Sequence, residues 1–259
     1  MHRTKLVTLI GATVMAAACS GDKSITNPVV TPPLPQATVS SATGDIAAKV
    51  DEFRNLFGAA NGATAGEQPG GRREITWDGA GANPFDNQNN FPADFFNTNV
   101  KSGAIFTTAG TGFRNDSTDF AEINPTYAAQ FNFFSAKKIF APIGSNQLDQ
   151  LFQVAGQPTP AVTRGIGIVF SDVDLAGKTT IELFAKDGSS LGVFAAPVRS
   201  DAGGLSFVGI TFDQAIIARA RITLGTGALA TGVNDVTDGG TADLVVLDNV
   251  IYGEPHQSF

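Results

Sequence analysis

Between Thr179 and Ala196 the chain reads TTIELFAKDGSSLGVFAA, and the strict alternation in this stretch constrains the fold more than any other feature of the sequence. Ile181, Leu183 and Ala185 point one way, Glu182, Phe184 and Lys186 the other, and Asp187-Gly188 supplies the turn before a second run begins. A period of two places alternate side chains on opposite faces of a pleated strand and cannot form the stripe of an amphipathic helix. Asp-Gly is the residue pair that tight hairpins prefer. Comparable short runs recur after Gly70: 74–77, 104–108, 138–141, 147–154, 165–170, 191–196, 205–212, 218–224 and 243–252. Short strands with turn residues between them predict an all-β domain over 70–259. The expected architecture is an antiparallel β-sandwich, jelly-roll-like, in which each strand buries alternate side chains. No fixed-period repeat is visible, which argues against a propeller or solenoid.

Composition supports that core. The 259 residues include 20 Phe against one Trp and two Tyr, and Phe brings apolar area without a polar group to satisfy. One helix is expected before the strands. In DIAAKVDEFRNLFG, Ile46, Val50, Phe53 and Phe57 fall at spacings of four, three and four, ending at Gly58. The Gly-rich joint NGATAGEQPGG follows, so 44–69 reads as helix and joint.

The first residues have the parts of an export signal: basic Arg3 and Lys5, an apolar run from Leu6 to Ala18, and small residues before the cut. Residues 1–18 are expected to be removed. The run is shorter than the about 20 apolar residues a membrane-spanning helix needs. Cys19, the only cysteine, directly follows Ala16-Ala17-Ala18, a placement resembling the lipobox of bacterial lipoproteins, with Ala16 where Leu is commonest. Lipidation at Cys19 would anchor the chain to a membrane; the alternative is plain secretion with a free thiol. Residues 19–43, rich in Ser, Thr and Pro, read as a disordered tether. The expected location is extracytoplasmic, at the bacterial outer membrane or cell surface.

A formal net charge of −7, without a large basic cluster, argues against a nucleic-acid partner. The chain carries only two His and one Cys, which argues against zinc, copper or iron. Carboxylate and amide oxygens are abundant instead, and they suit calcium. In GIGIVFSDVDLAG the strand face of Ile166, Ile168 and Phe170 continues into Asp172 and Asp174. Asp172, Asp174 and Gly177 also occupy the first, third and sixth places of a calcium loop, although Ala176 and Leu183 stand where later ligands belong. The alternative is an Asp-rich turn bonded to its own backbone. A second acidic segment holds Asn234, Asp235, Asp238 and Asp243, followed by Asp248 in an apolar strand. The predicted Ca²⁺ site is Asp172, Asp174 and Asp248, with backbone amides as the alternative partner of Asp248.

The segment after Trp77 is long and rich in Asn and Asp, and such loops are often functional. Trp77, Asp78, Asp86 and Asn90 are therefore the expected ligand-binding residues, for a glycan or a surface protein. No catalytic residue is assigned. GSSLG places Ser190 in a formal G-x-S-x-G, but it sits in a hairpin rather than a strand-to-helix elbow, and His256 is far along the chain near the C-terminus. For a polysaccharide hydrolase using a carboxylate pair, Glu74, Asp78 and Glu122 are the acids to test. A purely structural envelope protein is the third alternative.

The series GRREITWDG, PADFFN, GAIFTTAGTGF, INPTY, FAPIGSNQLDQLF, GIGIVFSDVD, GLSFVGITF and LDNVIYGEP resembles a family of uncharacterised bacterial secreted proteins over about residues 70–255. Its members are similar in plan to jelly-roll-like ectodomains of surface-anchored proteins. The resemblance implies a fold and an address, not a reaction. Asn249 stands where relatives tend to carry a second acid.

Overall fold

A computed structural model describes residues 35–80 and 84–258. These belong to the second of two compact units, Leu34–Phe259. The expected export signal of 1–18 and the expected lipidation at Cys19 lie outside the described residues, as does the expected tether up to Leu34.

Two antiparallel sheets form the domain. The larger contains β1 (Thr38–Thr43), β2 (Arg72–Ile75), β4 (Gly112–Asp116), β5 (Ile139–Ile143), β8 (Gly165–Ser171), β11 (Leu205–Thr211) and β13 (Val246–Gly253). Its order is β1-β11-β8-β13-β5-β4, with β2 also pairing to β13. The smaller sheet contains β3 (Ala104–Thr107), β6 (Gln147–Phe152), β9 (Thr180–Phe184), β10 (Ser190–Ala195) and β12 (Arg219–Thr223), in the order β10-β9-β12-β6-β3. A short pair joins β7 (Ala161–Val162) to β14 (His256–Gln257).

Alternation carries the sandwich. Ile166, Ile168 and Phe170 of β8, Val208 and Ile210 of β11, and Leu247, Val250 and Tyr252 of β13 face Ile181 and Leu183 of β9, Leu148 and Phe152 of β6, and Ile222 of β12 in one buried cluster. Burying each of these side chains contributes about 1.5–3 kcal/mol. The all-β expectation therefore holds, and every anticipated run contains a strand. One boundary is corrected: Thr38–Thr43, assigned from composition to the tether, form the edge strand β1, pairing from Thr38↔Thr211 to Thr43↔Ser206. Ser and Thr tolerate a strand when a neighbouring edge supplies hydrogen bonds, which local composition cannot reveal.

The expected helix is α1 (Ala47–Asn55). With the residues flanking it, α1 lays Ile46, Val50, Phe53 and Phe57 on the outer face of the larger sheet, against Val169, Phe207 and Ile251. Gly167 and Gly209, paired across β8 and β11, make room for it. A Cβ on either would lie 2.5–2.6 Å from the Phe53 ring. A second short helix, α2 (Phe95–Thr98), presents Phe95 and Phe96 to the aromatic end of the core.

The joint after α1 is fastened from within. Arg73 and Glu254 are fully buried, joined by a bidentate pair of 2.5 and 2.6 Å. The guanidinium also donates to the carbonyls of Gly62, Thr64 and Lys101, and Glu254 accepts from Asn61 Nδ2 and the amide of Gln68. Every charged atom has a partner, the condition under which a buried ion pair is tolerated.

Candidate metal centre

β8 ends where it meets the loop before β11. Asp172 donates its amide to the Gly204 carbonyl at 2.9 Å and takes a left-handed backbone, φ 71°. The residue after the last ladder pair is thus turned, and its carboxylate is directed into the rim beside that of Asp174. The third carboxylate comes from Asp235, in the excursion between β12 and β13. One oxygen from each of Asp172, Asp174 and Asp235 lies within 4.8 Å of the others, and all three residues are buried.

The hydrogen bonding of these acids is unequal. Asp235 is braced: Oδ1 accepts from the Thr237 amide at 2.8 Å and its hydroxyl at 2.7 Å, and Oδ2 accepts from the Leu244 amide at 2.8 Å. Asp243 stands behind, accepting the amides of Asp174 and Leu175 at 3.3 and 3.2 Å. Asp172, at 0 % exposure, and Asp174, at 9 %, have no hydrogen-bond donor on any of their four carboxylate oxygens. A buried ionised carboxylate without a donor is costly, so such a group must find a proton or a cation.

The electrostatics agree. Burial, then the charges of Asp174, Asp235 and Asp243, push the Asp172 carboxyl up to about 9. Burial, then the close approach of the Asp235 carboxylate and the charges of Asp243 and Asp201, push Asp174 up to about 7. Burial also raises Asp243. A divalent cation would reverse this preference by favouring the charged forms. The donor set consists entirely of hard carboxylate oxygens, which fits Ca²⁺ and not a soft transition metal. Asp172, Asp174 and Asp235 are the residues that would hold it.

Two of the three anticipated metal ligands therefore converge, and the third is corrected. Asp248 is not in the group. It lies at the irregularity of β13 between Leu247 and Val250, where the register with β8 shifts. Its carboxylate accepts from the amides of Phe134 and Ser135 at 2.6 and 3.1 Å and from the Ser135 hydroxyl at 2.8 Å. Burial raises it to about 6 against the pull of those donors. Asp235 was one of several acids in its segment. Its signal was local: Asp-x-Thr, with Thr237 positioned to bond back to it.

The four anticipated ligand-binding residues do not form a platform. Trp77 is buried, stacked on Phe140 at 3.9 Å, with Nε1 donating to the Asp248 carbonyl at 2.6 Å. Asp78 accepts the amides of Ala136 and Lys137, and Asp86 is held by Lys138 and Asn115. Asn90 is exposed. The aromatic core takes the indole because Phe91, Phe96, Phe106 and Phe140 already line that end.

The acids considered for hydrolysis are similarly engaged. Glu74 accepts from Arg54 and Asn249, and Glu122 from Arg114 and Thr118. Ser190 Oγ reaches Glu182 at 3.3 Å, while His256 Nδ1 lies 3.0 Å from Glu67.

Among the described residues no helix lies on the outer face of the smaller sheet, and its side chains there are half-buried or exposed at Asp149, Glu182, Arg219 and Arg221. Arg219 lies 3.7 Å over the Phe184 ring and donates to Asp149 at 2.7 Å, and Arg221 donates to the same carboxylate at 2.9 Å. Among the described residues no helix is long and apolar enough to cross a membrane. Comparison with protein-family models, curated proteins and solved structures finds no match to the chain.

Proposed function

We propose that this chain is an exported β-sandwich module that works by binding rather than by catalysis, its rim fastened by Ca²⁺ at Asp172, Asp174 and Asp235. One observation carries the reading: the carboxylates of Asp172 and Asp174 are buried with no hydrogen-bond donor on any of their four oxygens, and one oxygen of each lies within 4.8 Å of one from Asp235. The export signal and the lipobox-like Cys19 support an extracytoplasmic address, where calcium is plentiful enough for sites of ~10⁻⁴–10⁻³ M affinity. The resemblance to secreted ectodomains supports the same address.

The ligand of such a module is a glycan or a surface protein. The outer face of the smaller sheet, with Arg219, Arg221, Asp149 and Phe184, is the surface that suits it. Planar guanidinium groups held by a carboxylate and stacked on a ring offer ordered donors at low entropic cost.

Calcium titration of the full chain tests the metal reading. Isothermal calorimetry should record one binding event, and the melting temperature should rise with calcium and fall with EGTA. At about 100 times the dissociation constant the stabilisation is about 2.7 kcal/mol. Absence of both heat and shift would overturn the reading.

A further inference from the structure

Residues 224–245 run from the end of β12 to the start of β13 with no strand longer than a single bridge, and with a one-turn 3₁₀ helix at Val236–Asp238. This strap covers part of the outer face of the larger sheet. Leu229 and Leu244 pack with Phe120, Tyr127, Phe131, Ile139 and Val246 in a cluster separate from the main core. Its outer half is tied to the 123–130 segment by side-chain bonds: the Tyr127 hydroxyl donates to the Val233 carbonyl at 2.8 Å, Asn124 Nδ2 donates to the same oxygen at 3.0 Å, and the Thr237 hydroxyl donates to Gln130 Oε1 at 3.1 Å.

Its inner half meets the rim of β8 through acids. Asp235 from the strap stands against Asp172 and Asp174 from the rim, and Asp243 touches the rim backbone through bonds of 3.2–3.3 Å. Without a cation this junction gathers like charges in a buried place. With one, the same three carboxylates become a bridge between segments about 60 residues apart in the chain, a linkage in which metal binding is ordering free energy.

We infer that the cation is a latch: bound, it closes the 224–245 strap on the β8 rim, and released, it frees that strap while both sheets stay folded. This rests on the calcium reading above and adds where its effect is felt. The strap has a small apolar cluster of its own and no ladder longer than one bridge, and side-chain bonds rather than a strand pairing tie it to the 123–130 segment, the properties of a segment that opens locally before the whole domain does. Val173 between the rim acids and Leu224 and Val245 at the strap ends belong to the main core, so the opening is confined to the 228–244 part, which packs in the separate cluster.

Hydrogen exchange of the full chain, read by mass spectrometry in excess calcium and in EGTA, tests the latch. Amides of 228–244 and of the facing 118–131 segment should exchange about tenfold faster in EGTA, with β8, β9, β11 and β12 unchanged. In Asp172→Asn the exchange of the strap should no longer respond to calcium; if that variant fails to fold, the wild-type comparison still decides. Calcium uptake by calorimetry with no change in the strap, or with loosening spread evenly over both sheets, would overturn the latch and leave the metal reading standing. No uptake at all removes both.

Discussion

Asp248 shows how much of a residue's role is decided by its backbone. Placed at a break in the β13 register, it turns to the amides of 134 and 135, and burial raises its carboxyl to about 6. An unfolded Asp titrates near 3.9. The folded state therefore holds this proton more tightly, and the group's contribution to stability is greatest below pH ~4 and falls as pH rises through about 6. Chemical denaturation from pH 4 to 7 should show Asp248→Asn losing less stability than wild type across that window, by up to about 3 kcal/mol. Equal slopes for the two proteins would refute the assignment. Gln150 makes a different point. It is fully buried on the inner face of β6, and neither its amide nitrogen nor its oxygen has a partner. Leaving such a group unsatisfied costs about 1–3 kcal/mol, so Gln150→Met should raise the denaturation midpoint, and a lowered midpoint would count against this account.

At the level of elements, two attachments decide how α1 and the joint sit. Phe53 lies on the Gly167–Gly209 pair with no space for a further atom. Phe53→Ala should cost about 3–5 kcal/mol in urea unfolding. Gly209→Ala should cost less in the Phe53→Ala background than in wild type, because the nearest clash is with that ring, ahead of Phe207 at 2.9 Å; equal costs would show that the glycine serves another purpose. Arg73 and Glu254 fix the joint to the C-terminal strand. Removing one partner leaves a buried charge, so Arg73→Met should destabilise by about 3–5 kcal/mol, measurable by the same unfolding. A change under about 1 kcal/mol would mean that Glu254 finds solvent or another donor.

For the whole molecule, the carboxylates of Asp172, Asp174 and Asp235 bring the β8 rim against the excursion before β13. On the calcium proposal, protons and calcium would compete for Asp172 and Asp174, whose carboxyls are raised to about 9 and about 7 by burial and neighbouring acids. Calcium affinity should therefore weaken as pH falls from 8 to 6, with proton release on binding that varies with buffer ionisation enthalpy in calorimetry. An affinity independent of pH would mean that these acids are already ionised without the metal.

The sequence by itself determined that the domain is built of strands, because period-two alternation in a run such as 179–186 puts alternate side chains on opposite faces, which a helix cannot do. It also determined α1, through the spacing of Ile46, Val50, Phe53 and Phe57, and it placed Asp172 and Asp174 together, since they sit two residues apart at a strand end. What only the tertiary structure decided was the company those residues keep. Asp235 joins the pair across about 60 residues, Asp248 leaves it because β13 breaks register, Trp77 goes into the aromatic core instead of the surface, and Thr38–Thr43 become a strand because β11 offers them an edge. Local pattern encodes which face a side chain takes; which distant group it meets there depends on how the strands are ordered and registered, and no short-range periodicity records that order.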